Sequence, residues 1–254
     1  MINQLIHIVT EHGLNETVYD AFIAAGLLLT VVYCVATSGK YSISKKTALI
    51  SILILIVINV FWVKFLCWAE QGFKNWGSMN MIRIFVWYPL FLYPVAKLTK
   101  TNWETWCDYH APIMCMIQGM ANFGCMFAGC CHGYAMVHGL YNPVYGTTMF
   151  PLQPLKAAIT VLIGCYIWHT ERKRGYAVTG ESYPLMMIIY GVARFFMEFA
   201  CDNPKVLLGL SSPAIHAVIL VVVGTAWYTT VRDRNKKRDR KKISKMMRNG
   251  GVRA

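Results

Sequence analysis

Charge is scarce in this chain. Of its 254 residues only 12 are acidic and 15% are charged in total, against an apolar fraction of 56% and a mean hydropathy of +0.41. That balance excludes an ordinary soluble domain, in which about a quarter of residues are charged. It also excludes disorder, which requires a polar, well-solvated chain. The periods of collagen and coiled coils are absent, and no convincing internal repeat is present. Basic residues are missing from positions 1–20, which carry Glu11, Glu16 and Asp20 instead, the opposite of the basic start of a cleaved secretion signal. The nine cysteines are odd in number and scattered mainly through apolar stretches, so they do not form a disulfide framework and read mostly as small core residues. What remains is a membrane protein.

The net charge of +13 suggests nucleic-acid binding until its position is counted. Residues 232–254 hold eleven Lys or Arg against Asp233 and Asp239, which places +9 of the +13 in the tail. No aromatics are interleaved to stack on bases, so a nucleic-acid arm is disfavoured. A basic run directly after an apolar stretch is instead a juxtamembrane anchor for anionic lipid headgroups. The chain therefore divides into a transmembrane domain, 1–231, and a basic cytoplasmic tail, 232–254.

Apolar runs near 19–38, 47–67, 82–97, 109–130, 153–169, 183–201 and 212–231 predict an all-α bundle of about seven membrane-spanning helices. The fourth run is broken by Gln118, Gly119, Asn122 and Gly124. It reads as a helix packed inside the bundle or one partly unwound along a cavity. Lys and Arg test the count, because they concentrate on the cytoplasmic side. They occupy the first, third and fifth loops (Lys40, Lys45, Lys46; Lys97, Lys100; Arg172, Lys173, Arg174) and the tail, and are sparse between. This alternation predicts an outer N-terminus and a cytoplasmic C-terminus.

The sixth run contains Tyr190-Gly191-Val192-Ala193-Arg194-Phe195-Phe196-Met197-Glu198-Phe199, closed by Asp202. Arg194 and Glu198 are four apart, on one helix face. Charge at bilayer depth costs a few kcal/mol even on lenient insertion scales, so the pair is expected to face the bundle interior or a wet cavity. A self-satisfied ion pair that fixes packing is the plain reading. A guanidinium gripping phosphate or carboxylate, oriented by its neighbouring acid, is the functional one.

The fourth run ends Ala121-Asn122-Phe123-Gly124-Cys125-Met126-Phe127-Ala128-Gly129-Cys130-Cys131-His132-Gly133, whose small residues invite close approach of another backbone or a lipid. As a metal site Cys125, Cys130, Cys131 and His132 have poor spacing, since adjacent cysteines on a helix point apart, and no metal or other cofactor is expected. A thiol nucleophile there lacks an evident base. Residues 132–150 then form a long charge-free loop, either a plain connector or a lid. Pro151-Leu152-Gln153-Pro154 opens the fifth run, placing a polar side chain, Gln153, where outer leaflet and bundle meet; the plain reading is an interfacial helix cap.

Taken in order, the glycine-rich segment ending Gly-Cys-Cys-His-Gly, then Phe-Pro-Leu-Gln, Tyr-Gly-Val-Ala-Arg-Phe-Phe-Met-Glu-Phe and Leu-Leu-Gly-Leu-Ser resemble the prolipoprotein diacylglyceryl transferases, best over about 95–230. The resemblance implies seven spans with the N-terminus outside, in a bacterial plasma membrane. It implies transfer of diacylglycerol from phosphatidylglycerol to the lipobox cysteine thiol of a prolipoprotein, with a thioether formed and glycerol phosphate released. It puts the family's membrane Arg and Glu at Arg194 and Glu198, its Tyr-Gly at Tyr190 and Gly191, and its Pro-x-Gln at Pro151 and Gln153, where the usual Tyr-Glu that follows is Leu155-Lys156. The family's Gly-Arg-x-Gly signature falls on Ala121-Asn122-Phe123-Gly124, so its arginine position is Asn122. The family's His-Gly pair has no counterpart between Asn80 and Pro89, where Arg83 stands.

The resulting expectation makes Arg194 and Glu198 the catalytic pair and Arg83, Asn122, Gly124, Gln153 and Tyr190 the substrate-binding residues. Arg83 joins Arg194 on the phosphate, Asn122 and Gln153 bond glycerol or ester oxygens, and His110 or His132 serves as base. Phosphatidylglycerol or a related phospholipid and a prolipoprotein are the expected partners, anionic lipids meet the tail, and nucleic acid is excluded. The rival expectations are a lipid- or partner-binding protein without chemistry, a transferase with a changed acceptor, and a small-solute transporter.

Overall fold

A computed structural model of the chain describes residues 1–70, 72–74, 82–201 and 203–250, apart from the side chains at 55, 59, 70, 242 and 248–250. Asn80, Asp202 and the last four residues of the basic tail lie outside the described residues. The elements run α1 (Ile2–Glu11), α2 (Asn15–Thr37) continued by a 3-10 turn to Tyr41, α3 (Lys45–Glu70), α4 (Ile82–Thr99), α5 (Trp103–Ala128), β1 (Ala135–Asn142), β2 (Thr147–Met149), α6 (Leu152–Lys173), α7 (Ser182–Glu198), β3 (Lys205–Leu207), β4 (Leu210–Ser211) and α8 (Ser212–Gly250). Helices α2 to α8 cover the seven apolar runs. Four stretches, Asn15–Tyr41, Lys45–Ala69, Trp103–Ala128 and Ser212–Met247, are long and apolar enough to cross a membrane.

The protein is mostly helical rather than all-α. Two antiparallel hairpins, β1–β2 and β3–β4, interrupt the helices. The first occupies the segment read as an irregular loop, because Asn142 supplies its turn: Oδ1 accepts the N–H groups of Val144 and Tyr145, and Gly146 takes a positive φ of 64°. Against this hairpin packs α1. Its Ile6 and Val9 join Met126, Phe127 and Leu140, while Asn3 pairs with Gly139 O and the Tyr141 N–H.

Helix α5, the least apolar of the four candidate spans, is unbroken and central. Its hydrophobic window is 72% buried, against 19–33% in the other three, so its polar residues are sheltered by neighbours and not by lipid. It packs on α2 and α6 and also meets α4 and α7. Small residues permit these approaches: a Cβ on Gly124 would lie 2.8 Å from the Tyr19 ring of α2, and one on Gly164 of α6 would lie 2.9 Å from Cys115 Cβ.

A carboxylate pair fixes the start of α7. Asp108 of α5 accepts the backbone N–H groups of Thr179 (3.1 Å), Gly180 (2.7 Å) and Ser182 (3.0 Å), donors that a helix N-terminus leaves without intrahelical partners. Glu171 of α6 accepts the Ser182 hydroxyl and, at 3.0 Å, the Tyr41 hydroxyl. Helix α8 continues without a break across 231–232. Its Arg234 pairs with Glu104 at 2.5 Å, and Asn235 donates to Thr179 O at 2.9 Å, so the root of the basic segment rests on this same end of the bundle.

Candidate active site

The other end of α7 carries the Arg194–Glu198 pair. Both groups are buried, with Arg194 Nη2 2.9 Å from Glu198 Oε2. Glu198 also accepts Ser211 Oγ at 2.8 Å and the Asn203 amide, contacts supplied by the β3–β4 hairpin and the turn before it. The carboxylate is thereby held by Arg194 one turn back on α7 and by two groups from beyond the helix. It in turn fixes the guanidinium, which is how an arginine is pre-oriented for a planar anion.

Arg194 lines a cavity of 1210 Å³ bordered by residues of helices α2 to α8. Its wall is largely aliphatic and aromatic, but four cationic side chains face it: Lys64, Arg83, Lys156 and Arg194. Asp20 is the one carboxylate on the described lining. Such a volume exceeds that of a typical drug-sized pocket, roughly 300–1,000 Å³, and an apolar wall with net positive charge suits an anionic amphiphile.

Arg83 is buried and places Nη1 2.8 Å from Cys67 Sγ and Nη2 3.2 Å from Ser212 Oγ, tying α4 to α3 and α8. Asn122 lines the cavity with Gln118, whose amide donates to its Oδ1 at 3.2 Å. Tyr190 also faces the cavity and stacks on Phe85, ring centroids 4.3 Å apart. The structure thus brings Arg83, Asn122, Tyr190 and Arg194 to one cavity, with Glu198 behind Arg194. Gln153 and Gly124 are placed elsewhere. Gln153 is buried at the start of α6 and spends its amide on Cys130 O at 3.0 Å, and Gly124 faces α2. Of the two candidate bases, His132 lines the cavity, whereas His110 lies behind Tyr88, its Nδ1 3.2 Å from the Tyr88 hydroxyl.

Two lysines were not anticipated. Lys156 of α6 is 4% exposed, and its Nζ lies 3.3 Å from Cys201 Sγ and 3.5 Å from Cys131 O. Lys64 projects from α3, a stretch read as cleanly apolar. The available signal was a lone lysine inside each apolar run, since an ionisable residue at such a position marks a polar interior.

The cysteine motif also differs from its reading. Helix α5 stops at Ala128, Gly129 turns left-handed at φ 71°, and Cys131 follows at φ 56°. Cys130 and Cys131 are therefore off the helix, and helical geometry does not force their side chains apart. The Sγ atoms of Cys125, Cys130 and Cys131 lie within 4.8 Å of one another. Hydrogen bonds from the Cys125 and Cys130 thiols, reinforced by the charges of Lys156 and Arg194, hold the Cys131 thiol well below the usual range.

Fold and site define a helical membrane protein with a largely apolar cavity lined by several cationic side chains. The sequence model of the prolipoprotein diacylglyceryl transferase family matches residues 7–230, and the chain belongs to that family. It is similar to phosphatidylglycerol–prolipoprotein diacylglyceryl transferase 2 of Clostridium perfringens, 27% identical over 135 residues, which is 49% of this chain and 52% of that protein. It is also similar to the phosphatidylglycerol–prolipoprotein diacylglyceryl transferase of Clostridium tetani, 23% identical over 240 residues, covering 84% of this chain and 92% of that one. The first match thus spans about half of its relative's length and the second nearly all.

Proposed function

We propose that this protein transfers the diacylglyceryl group of phosphatidylglycerol to a cysteine thiol of a prolipoprotein at the outer face of a bacterial plasma membrane. The observation that carries the reading is the cavity's four cations against one acid, set in an apolar wall. Phosphatidylglycerol presents one phosphate anion between acyl chains and a glycerol. In the transfer, the acceptor sulfur attacks the diacylglyceryl carbon bonded to the phosphate oxygen. The C–S bond forms as the C–O bond breaks, and the electron pair leaves with glycerol phosphate.

Negative charge grows on the phosphate during this step, because a diester monoanion becomes a monoester dianion. Fixed cations aimed at such growing charge lower the barrier. Arg194, oriented by Glu198, and Lys156 serve this role in the reading, with Arg83 completing the phosphate site. Lys156 restores a positive charge where Asn122 replaces the arginine of the family signature. Asn122 and Tyr190 then bond ester or glycerol oxygens, while Gln153 and Gly124 shape the wall from behind. His132 takes the thiol proton. Its Nδ1 donates to Gly133 O at 2.9 Å, which leaves the lone pair on Nε2 of a residue that lines the cavity.

The membrane arrangement in this reading has α2 to α8 as seven crossings, the N-terminus outside and the C-terminus in the cytoplasm. The 17 residues of α7 span about 26 Å at 1.5 Å per residue, enough for most of the hydrocarbon core. The 39 residues of α8 exceed that core almost twofold, so its basic half, beyond 231, extends along or past the cytoplasmic headgroups. Arg194, Lys156 and the cysteine loop then lie toward the outer leaflet.

Complementation of a bacterium depleted of its own diacylglyceryl transferase tests the reading, with mass spectrometry of a reporter lipoprotein. The parent chain is expected to yield diacylglyceryl-cysteine, and Arg194→Ala, inserted at equal abundance, is expected to yield none. An unmodified reporter beside a well-inserted parent overturns it.

A further inference from the structure

Three cysteine sulfurs, three buried donors and one left-handed backbone turn meet at the edge of the cavity, and the transfer reaction uses none of the sulfurs. Cys125 comes from the last turn of α5, and Cys130 and Cys131 from the turn that follows. Their Sγ atoms lie within 4.8 Å of one another without a disulfide. A metal bound at the usual zinc–sulfur distance of about 2.3 Å places its thiolates roughly 3.8–4.0 Å apart, so convergence needs only small side-chain rotation.

The turn is held from behind with unusual completeness. Three successive carbonyls each accept a different side-chain donor: Gly129 O from Asn142 Nδ2 at 2.8 Å, Cys130 O from Gln153 Nε2 at 3.0 Å, and Cys131 O from Lys156 Nζ at 3.5 Å. All three donor residues are buried. With its carbonyls fixed inward, the turn presents its sulfurs to the cavity, which all three cysteines line. Cys131 adopts φ 56°, a left-handed conformation uncommon for a side-chain-bearing residue and one retained where surrounding structure over-determines it. Gly129 is equally constrained, since a Cβ there would lie 2.8 Å from Asn142 Oδ1 and 2.8 Å from Val144 Cγ2.

We propose that Cys125, Cys130 and Cys131 form a three-thiolate binding site for a thiophilic d10 cation, Zn²⁺ being the ion its donor set fits. Soft sulfur donors select such ions over Mg²⁺ and Ca²⁺, which take oxygen. Binding follows M²⁺ + 3 RSH → [M(SR)₃]⁻ + 3 H⁺, with no change of oxidation state. The complex carries one negative charge, which the adjacent Lys156 and Arg194 offset. Its remaining coordination position opens on the cavity.

The test is titration of the full-length, reduced protein in detergent with Cd²⁺ as ultraviolet probe and Zn²⁺ as competitor. The expected result is a saturable thiolate-to-metal charge-transfer band at one Cd²⁺ per chain, displaced by Zn²⁺ and accompanied by proton release. The band should disappear in the Cys125→Ser/Cys130→Ser/Cys131→Ser variant and persist in Cys165→Ser, which alters an exposed cysteine elsewhere on α6. Gln153→Ala, which leaves the three thiols intact but releases the Cys130 carbonyl, should weaken binding at least tenfold. Absence of a saturable band overturns the proposal, as does a band that survives the triple variant, or a Cys–Cys bond found by mass spectrometry in protein purified under reducing conditions. None of these readings depends on lipid transfer, so the metal site and the transferase reading fail separately.

Discussion

The two ends of α7 are both polar and both buried, but they are built for different ends. At Ser182, Asp108 and Glu171 are satisfied by backbone N–H groups and hydroxyls, and none of these residues lines the cavity. At Glu198, acid and cation meet, and one member of the pair, Arg194, faces a volume large enough for lipid. The first arrangement closes a helix terminus, with its acids engaged by N–H and hydroxyl donors. The second leaves charge available. Burial of polar groups alone therefore does not mark a candidate site in this fold; a braced cation facing a cavity does.

The sharpest way to break this contrast is to neutralise the active end without leaving a charge unpaired. In the double variant Arg194→Gln/Glu198→Gln, position 198 keeps its contacts with Ser211 and Asn203, and no lone ion is buried. Diacylglyceryl transfer is expected to fall at least about 100-fold, the scale for losing a preorganised charge stabiliser. Thermal stability in detergent should change little. Transfer within a few fold of the parent would mean that the pair is structural, like its counterpart at Ser182.

The complementary change is Asp108→Ala. It strands three N–H donors at the start of α7, two of them buried, and an unsatisfied buried group costs about 1–3 kcal/mol. The expected outcome is a large fall in melting temperature and yield, with activity per folded molecule kept. A folded, stable but inactive Asp108→Ala would show that the two ends communicate.

Lys156→Met sharpens the assignment within the active end. It keeps the stem volume and removes the charge beside Cys131 and Cys201. Transfer is expected to fall about tenfold, equivalent to about 1.4 kcal/mol of transition-state stabilisation. A second variant, Lys156→Met/Asn122→Arg, which restores a cation on α5 of the same cavity, should recover part of it. Failure of that recovery in a stable protein would argue that Lys156 acts through the cysteine turn and not on the phosphate.

Much of this contrast is legible in the sequence. The Arg194–Glu198 spacing placed both groups on one face, and the apolar runs located helices α2 to α8. What the sequence could not present were contacts whose partners are distant along the chain. Asp108 is 71 to 74 residues from the backbone it caps and was left just outside the predicted span. Lys156 and Lys64 were hidden by the apolar runs around them. The cysteine cluster was lost to a boundary error of two residues: extending α5 to Cys130 made adjacent thiols diverge, whereas a helix ending at Ala128 lets the left-handed turn bring them together. The first hairpin likewise depended on one side chain, Asn142, serving the turn on one side and Gly129 O on the other.

The smallest expected effect concerns the closed end and the basic helix that rests on it. Arg234 and Glu104 are 2.5 Å apart, with the arginine side chain 45% exposed, so water and salt screen the pair. Glu104→Gln is therefore expected to lower stability by no more than about 1 kcal/mol, and less at high salt, as for other exposed pairs. Asn235 still donates to Thr179 O and to Glu181 in that variant, which keeps the root of the basic helix in place. Protease accessibility after residue 235 should consequently be unchanged, and transfer activity unaffected. An increase in proteolysis matched by lost transfer would tie the basic helix to the cavity at the opposite end of α7, and the division between a closed end and a working end would no longer hold.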